Sequence, residues 1–199
     1  MTPIISARGG LSSQAYGQFA LSGAGGSFES IATVSVGSGG TSYIDFTSIP
    51  QTYKHLQIRA LLRGQAADTA GQSWIRVNGV TTDSYSWHGI YGTGSSVGTE
   101  NSEFSSKDAI YSQFRHSSGN STASVFGVGV CDILDYTSTA KYKTVRTLSG
   151  YDSNGSGQVR LYSGMLLSTT NAITTLRIQD QSGSGYAQYS HFALYGIKD

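Results

Sequence analysis

Glu100 and Glu103, three residues apart in "ENSEFSSKD", are the nearest this chain comes to a catalytic carboxylate pair. A glycoside hydrolase needs two such groups facing each other across a sugar, one as acid, the other as nucleophile or base. Nothing in a run of Ser, Asn and Glu fixes that separation, and solvated charges on a loop are the ordinary reading. The four histidines, His55, His88, His116 and His191, lack the close spacing of a zinc site. A Ser–His–Asp trio could converge in space, but sequence alone does not place one. "DSNGSG" (152–157) sets Asp152, Asn154 and Ser156 at alternate positions with glycine sixth, as a calcium loop begins. Ser163 stands where the closing glutamate belongs, so the run reads as a β-turn. Asp132 and Asp135 in "DILD" read as partners for Lys141, Lys143 or Arg146. Nucleophile elbows, P-loops and HExxH motifs are absent from the sequence. No catalytic residue, cofactor site or metal site is therefore assigned.

Cys131 is the one cysteine, which excludes an intrachain disulfide framework and a cysteine-rich metal centre. Its surroundings, "SVFGVGVCDIL", read as a buried, inert thiol. Three aromatics, Tyr85, Trp87 and Tyr91, fall near a hairpin and a long loop. If exposed they would suit stacking on a sugar or filling a partner's pocket; otherwise they are sheet packing.

These residues must be held by strands. From Phe28 onward, turn signals recur about every ten residues, the rhythm of an all-β sandwich or barrel. Strands are expected over 28–36, 41–49 and 53–63, where Leu56, Ile58, Ala60 and Leu62 alternate with other residues. Asn78-Gly79 is the pair a type I′ turn requires, and predicts a hairpin between strands near 72–77 and 80–88. Residues 92–106 read as a long exposed loop. Residues 122–134 are nearly continuous apolar, as in a central strand buried on both faces, with Gly127 and Gly129 allowing close approach. Strands follow near 141–148, 158–167, 172–180 and 186–198. The sum is nine or ten strands in an antiparallel sandwich of jelly-roll type, forming a domain over 28–199.

Residues 1–27 stand outside that rhythm. "MTPIISARGGLSSQAYG" has Arg8 after Ile4 and Ile5, and too short an apolar run for a secretion signal. "SGAGGS" (22–27) has the composition of a flexible linker. Pro3, Ile4, Ile5, Arg8, Gly9, Gly10 and Tyr16 are expected to form an arm that orders on a neighbouring protein.

Composition narrows the partners. Among 199 residues, 13 Lys and Arg stand against 12 Asp and Glu, a formal charge of +1 that offers no basic field for nucleic acid. No stretch reaches the ~18–20 apolar residues of a membrane span.

"FESIATVSVGSGGTSYIDFTSIPQTYKHLQIR", "DILDYTSTAKYKTVRTLSGYDSNGSGQ" and "YAQYSHFALYGIK" resemble small virion structural proteins of tailed bacteriophages. "PIISARGGLSSQAYG" resembles the N-terminal anchoring peptides of tail-fibre-like proteins. Together these segments span about half the chain. The resemblance implies a non-enzymatic virion component, assembled in the host cytoplasm without a signal peptide. Its arm would dock on another phage protein and its sandwich would face outward as a short tail fibre or adhesin, by analogy a homotrimer. A capsid decoration (cement) protein is the alternative; a polysaccharide depolymerase or a free carbohydrate-binding domain stands further off. An adhesin predicts exposed aromatics distal to the arm and a host-surface glycan as partner. A cement protein predicts apolar surface gathered on one covered side.

Overall fold

A computed structural model describes residues 27–102 and 107–198. The arm residues Pro3, Ile4, Ile5, Arg8, Gly9, Gly10 and Tyr16, and Glu103 of the carboxylate pair, lie outside the described residues. Twelve strands follow in order: β1 (Phe28–Ser35), β2 (Tyr43–Phe46), β3 (His55–Leu62), β4 (Ala70–Val77), β5 (Tyr85–Gly92), β6 (Val97–Ser102), β7 (Ile110–Ser117), β8 (Gly127–Ile133), β9 (Lys143–Asp152), β10 (Gly157–Leu166), β11 (Leu176–Asp180) and β12 (His191–Ile197).

They form an antiparallel sandwich. One sheet has eight strands in the order β1-β12-β3-β8-β9-β10-β5-β6, the other four in the order β2-β11-β4-β7. Period-two alternation does the sorting, because successive side chains point to opposite sides of a strand. In β3, Leu56, Ile58 and Leu62 are fully buried while Arg59 and Leu61 face out. Across the gap Ile75, Val77, Ile110, Phe114 and Ile178 of the smaller sheet complete the core.

Three sequence expectations change. Asn78 and Gly79 do adopt positive φ (50° and 66°), and Val80 N–H donates to the Val77 carbonyl at 3.0 Å, so the turn forms. The flanking strands do not pair, however: β4 belongs to the four-stranded sheet and β5 to the eight-stranded one. Asn78 clips the turn elsewhere, its Oδ1 accepting from Thr174 N–H (2.8 Å) and Thr175 N–H (3.2 Å) and its Nδ2 donating to the Ala172 carbonyl (2.8 Å). Turn chemistry was local and readable; the sheet each strand would join was not.

The expected loop over 92–106 instead contains β6, which pairs with β5 through a tight turn closed by Thr93 N–H to the Ser96 carbonyl. β7 is the second strand beyond the ten expected. Finally, β8 is buried on one side only. Cys131 and Ile133 point into the core, whereas Val128 and Val130 face outward. Gly127 and Gly129 do admit close neighbours: a Cβ on Gly129 would sit 2.3 Å from the Phe114 ring.

Candidate functional site

The outward side of the eight-stranded sheet holds the residues that burial leaves unexplained. Strand register sets them in rows running across the sheet. One row is Ala193, Arg59, Val130, Leu148, Leu161 and Ile90, each directly opposite the next. The row beside it is His191, Leu61, Val128, Gly150, Val159 and Gly92. Val128, Leu148, Ile90 and Val159 are each more than half exposed. Gly92 leaves the second row without a side chain at its β5 end, while the β10 backbone closes on Gly150, whose notional Cβ lies 2.5 Å from the Gln158 carbonyl oxygen. The result is a groove of about 1130 Å³ walled by the β9–β10 turn, Gly94, Phe126 and Tyr195.

A polar row borders this floor: Tyr195, Gln57, Asp132, Arg146, Ser163 and His88. Its charges are spent on one another. Gln57 Nε2 donates to Asp132 Oδ1 at 2.8 Å, Arg146 Nη2 to Asp132 Oδ2 at 3.3 Å, and Arg59 Nε to Gln57 Oε1 at 2.9 Å. Arg59 also lies 4.9 Å over the Phe28 ring, itself stacked on Tyr195 at 4.6 Å. Next to them on the edge strand, Lys198 and then Tyr53 donate to Glu29 and hold its carboxyl below the usual value. From Leu61 and Val130 to Ile90 the floor is aliphatic, with the exposed Arg59 and His191 at its β3–β12 end. Such a surface suits the burial of apolar matter.

The aromatic trio does not reach this face. Tyr85 is fully buried, its hydroxyl accepting from Val77 N–H at 3.1 Å and lying 3.1 Å from the Val80 carbonyl. Trp87 is buried against Tyr111, ring centroids 5.4 Å apart. Tyr91 is half-buried beneath Arg160 and over Gly98. All three occupy odd positions of β5 that point between the sheets, and Ser86, His88 and Ile90 point out. The glycan-binding assignment for Tyr85 and Trp87 is therefore corrected: they are core.

Glu100 is likewise committed. It accepts from Tyr162 Oη at 2.5 Å and lies 3.4 Å from Arg160 Nη2, whose side chain is buried. Gln72 and Gln158 accept further bonds from Arg160 at 2.7 and 2.6 Å. Burial first, and then the neighbouring Arg160, lower the Arg115 pKa. The same burial, with the bond to Glu100, raises that of Tyr162. This is a structural polar network between the sheets.

His116 and Asp180 form a buried pair, Nε2 to Oδ1 3.3 Å. Nδ1 faces the Ser117 carbonyl at 3.0 Å, so neither ring nitrogen is offered to a serine hydroxyl. Asp152 accepts from Asn154 N–H at 2.8 Å inside the β9–β10 turn. His55 Nδ1 accepts from Asp135 N–H and His191 meets Ser35. Among the described residues no group of three or more His, Cys, Asp or Glu could hold a metal ion.

Comparison with known proteins adds little. No family model matches the chain, and no curated protein does. A solved structure, the crystal structure of Caenorhabditis elegans galectin LEC-6, is similar at 8% identity and a TM-score of 0.32, covering 84% of this chain and 96% of that one. That likeness is too slight to support any statement about this chain.

The residues that make the face, Leu61, Val128, Val130, Leu148, Leu161 and Ile90, were not singled out from the sequence. Their signal was present: "VFGVGV" and "LQIRALLR" carry apolar residues at both parities, which reads equally as burial on two sides or as an outer surface awaiting a cover.

Proposed function

We propose that the chain is a non-enzymatic structural subunit of a tailed-bacteriophage particle, held by its N-terminal arm to another virion protein. The observation that supports this reading is the aliphatic face just described. Monomers seldom expose apolar patches spread over so many adjacent strands, and such patches mark surfaces that another protein covers. The resemblance of the quoted segments to phage virion proteins supplies the setting.

Between the two placements, the burial of Tyr85 and Trp87 removes the aromatic platform expected of an adhesin, and the most exposed rings among the described residues, Tyr43, Tyr142 and Tyr189, lie elsewhere in the chain. Aliphatic surface gathered on one side suits a building block that another subunit covers.

The test is composition of the particle. Purified virions from an infected culture are expected to contain the chain by mass spectrometry, and a chain lacking residues 1–26 should fail to join them. Virions without the chain would overturn the reading.

A further inference from the structure

We infer that the outward face of the eight-stranded sheet is where copies of this chain associate with one another. The inference rests on the structural-subunit reading for its purpose, but its evidence is the geometry of the face.

Size is the first argument. Eight strands ~4.8 Å apart give a face ~38 Å wide, and strands of about seven residues make it ~23 Å long. That footprint of roughly 900 Å², polar border included, is large enough to hold the ~800 Å² per partner of a stable complex.

Charge is the second. From Leu61 and Val130 to Ile90 the two apolar rows carry no charged side chain, and Arg59, the exposed cation opposite Val130, is turned toward Gln57 and the Phe28 and Tyr195 rings. The bordering charges, Asp132 and Arg146, already neutralise each other. A polyanion or an anionic lipid surface would call for unpaired cations here. A glycan would call for aromatic stacking platforms and free donors across the floor, and the floor is aliphatic. The occupant that fits is neutral, apolar and as broad as a sheet, and a second copy presents that surface. Sheets packed face to face sit ~10 Å apart with interdigitating side chains; Gly92, whose notional Cβ has no neighbour nearer than 4.0 Å, leaves a hollow that a facing Leu or Val fills.

Light scattering on the purified full chain tests this, with Leu148→Glu and Val130→Glu beside it. Both positions face solvent in a single copy, so the variants should still unfold in one cooperative thermal transition. The wild type is expected at two or three times 21.0 kDa, and the variants at the mass of one chain. A monomeric wild type overturns the inference, whether the face is bare or covered by the chain's own residues 1–26. Variants that assemble like the wild type also overturn it. A monomer that is still recovered from virions defeats this inference alone; an oligomer absent from virions defeats the virion reading alone.

Discussion

Arg160 on β10 and Glu100 on β6 meet between the sheets, Nη2 to Oε1 3.4 Å, with Tyr162 bridging them through its 2.5 Å bond to Glu100. Among the described residues Glu100 is the carboxylate paired with this buried arginine. Removing one member of a buried pair strands the other, at about 3–5 kcal/mol when both are sealed. Glu100 keeps about a third of its side chain exposed, so water offsets part of that cost. Glu100→Ala should lower unfolding free energy by roughly 2–3 kcal/mol in urea titration. A loss below the error of the measurement would remove the network from the account.

Gly129 accepts the Phe114 ring where a side chain would stand, its notional Cβ lying 2.3 Å from that ring. Gly129→Ala should therefore cost ~1–3 kcal/mol by overpacking the core. Gly39, with nothing within 4 Å of its notional Cβ, serves as the control. Gly39→Ala should leave the denaturation midpoint where it was.

Asn78 combines a φ of 50° with four side-chain bonds to the 172–175 segment. Asn78→Ala loses the bonds and keeps the strained backbone, at a cost of roughly 2–3 kcal/mol. Asn78→Gly relieves the strain and loses only the bonds. Thermal melts should rank wild type above Asn78→Gly, and Asn78→Gly above Asn78→Ala; the reverse order of the two variants would contradict the turn's role.

How much of this was legible beforehand follows from the range of each signal. The alternation of Leu56, Ile58, Ala60 and Leu62 and the positive-φ pair at 78–79 are local, and both appear as read. Sheet membership is not local. Val77 and Tyr85 lie in different sheets because β11 pairs with β4, Leu176 opposite Val77, and β10 pairs with β5, Leu166 opposite Tyr85. β6 was hidden because "VGTENS" has weak strand propensity; pairing with β5 and the Arg160–Glu100 contact override it. The outward face was hidden for another reason. A side chain such as Leu148 looks the same in sequence whether its own chain or another one buries it.

Cys131 offers a check on the core. Burial pushes its thiol up to about 12. At pH 8 that leaves about one thiol in 10⁴ ionised, behind a closed sheet. Ellman's reagent should find no reactive thiol in the native protein and one per chain in denaturant. Stoichiometric labelling of the native state would contradict the packing of β8.

An unreactive Cys131 also provides a silent background for the most direct test of the central claim, that the outward face of the large sheet is covered when the protein is assembled. Leu148→Cys places a thiol in the middle of that face, and Thr47→Cys places one at an exposed position after β2 on the other sheet. The measurement is the maleimide labelling rate of each in the native full chain. Protection of Cys at 148 with rapid labelling at 47 is the predicted result; equally rapid labelling at both positions would contradict the account.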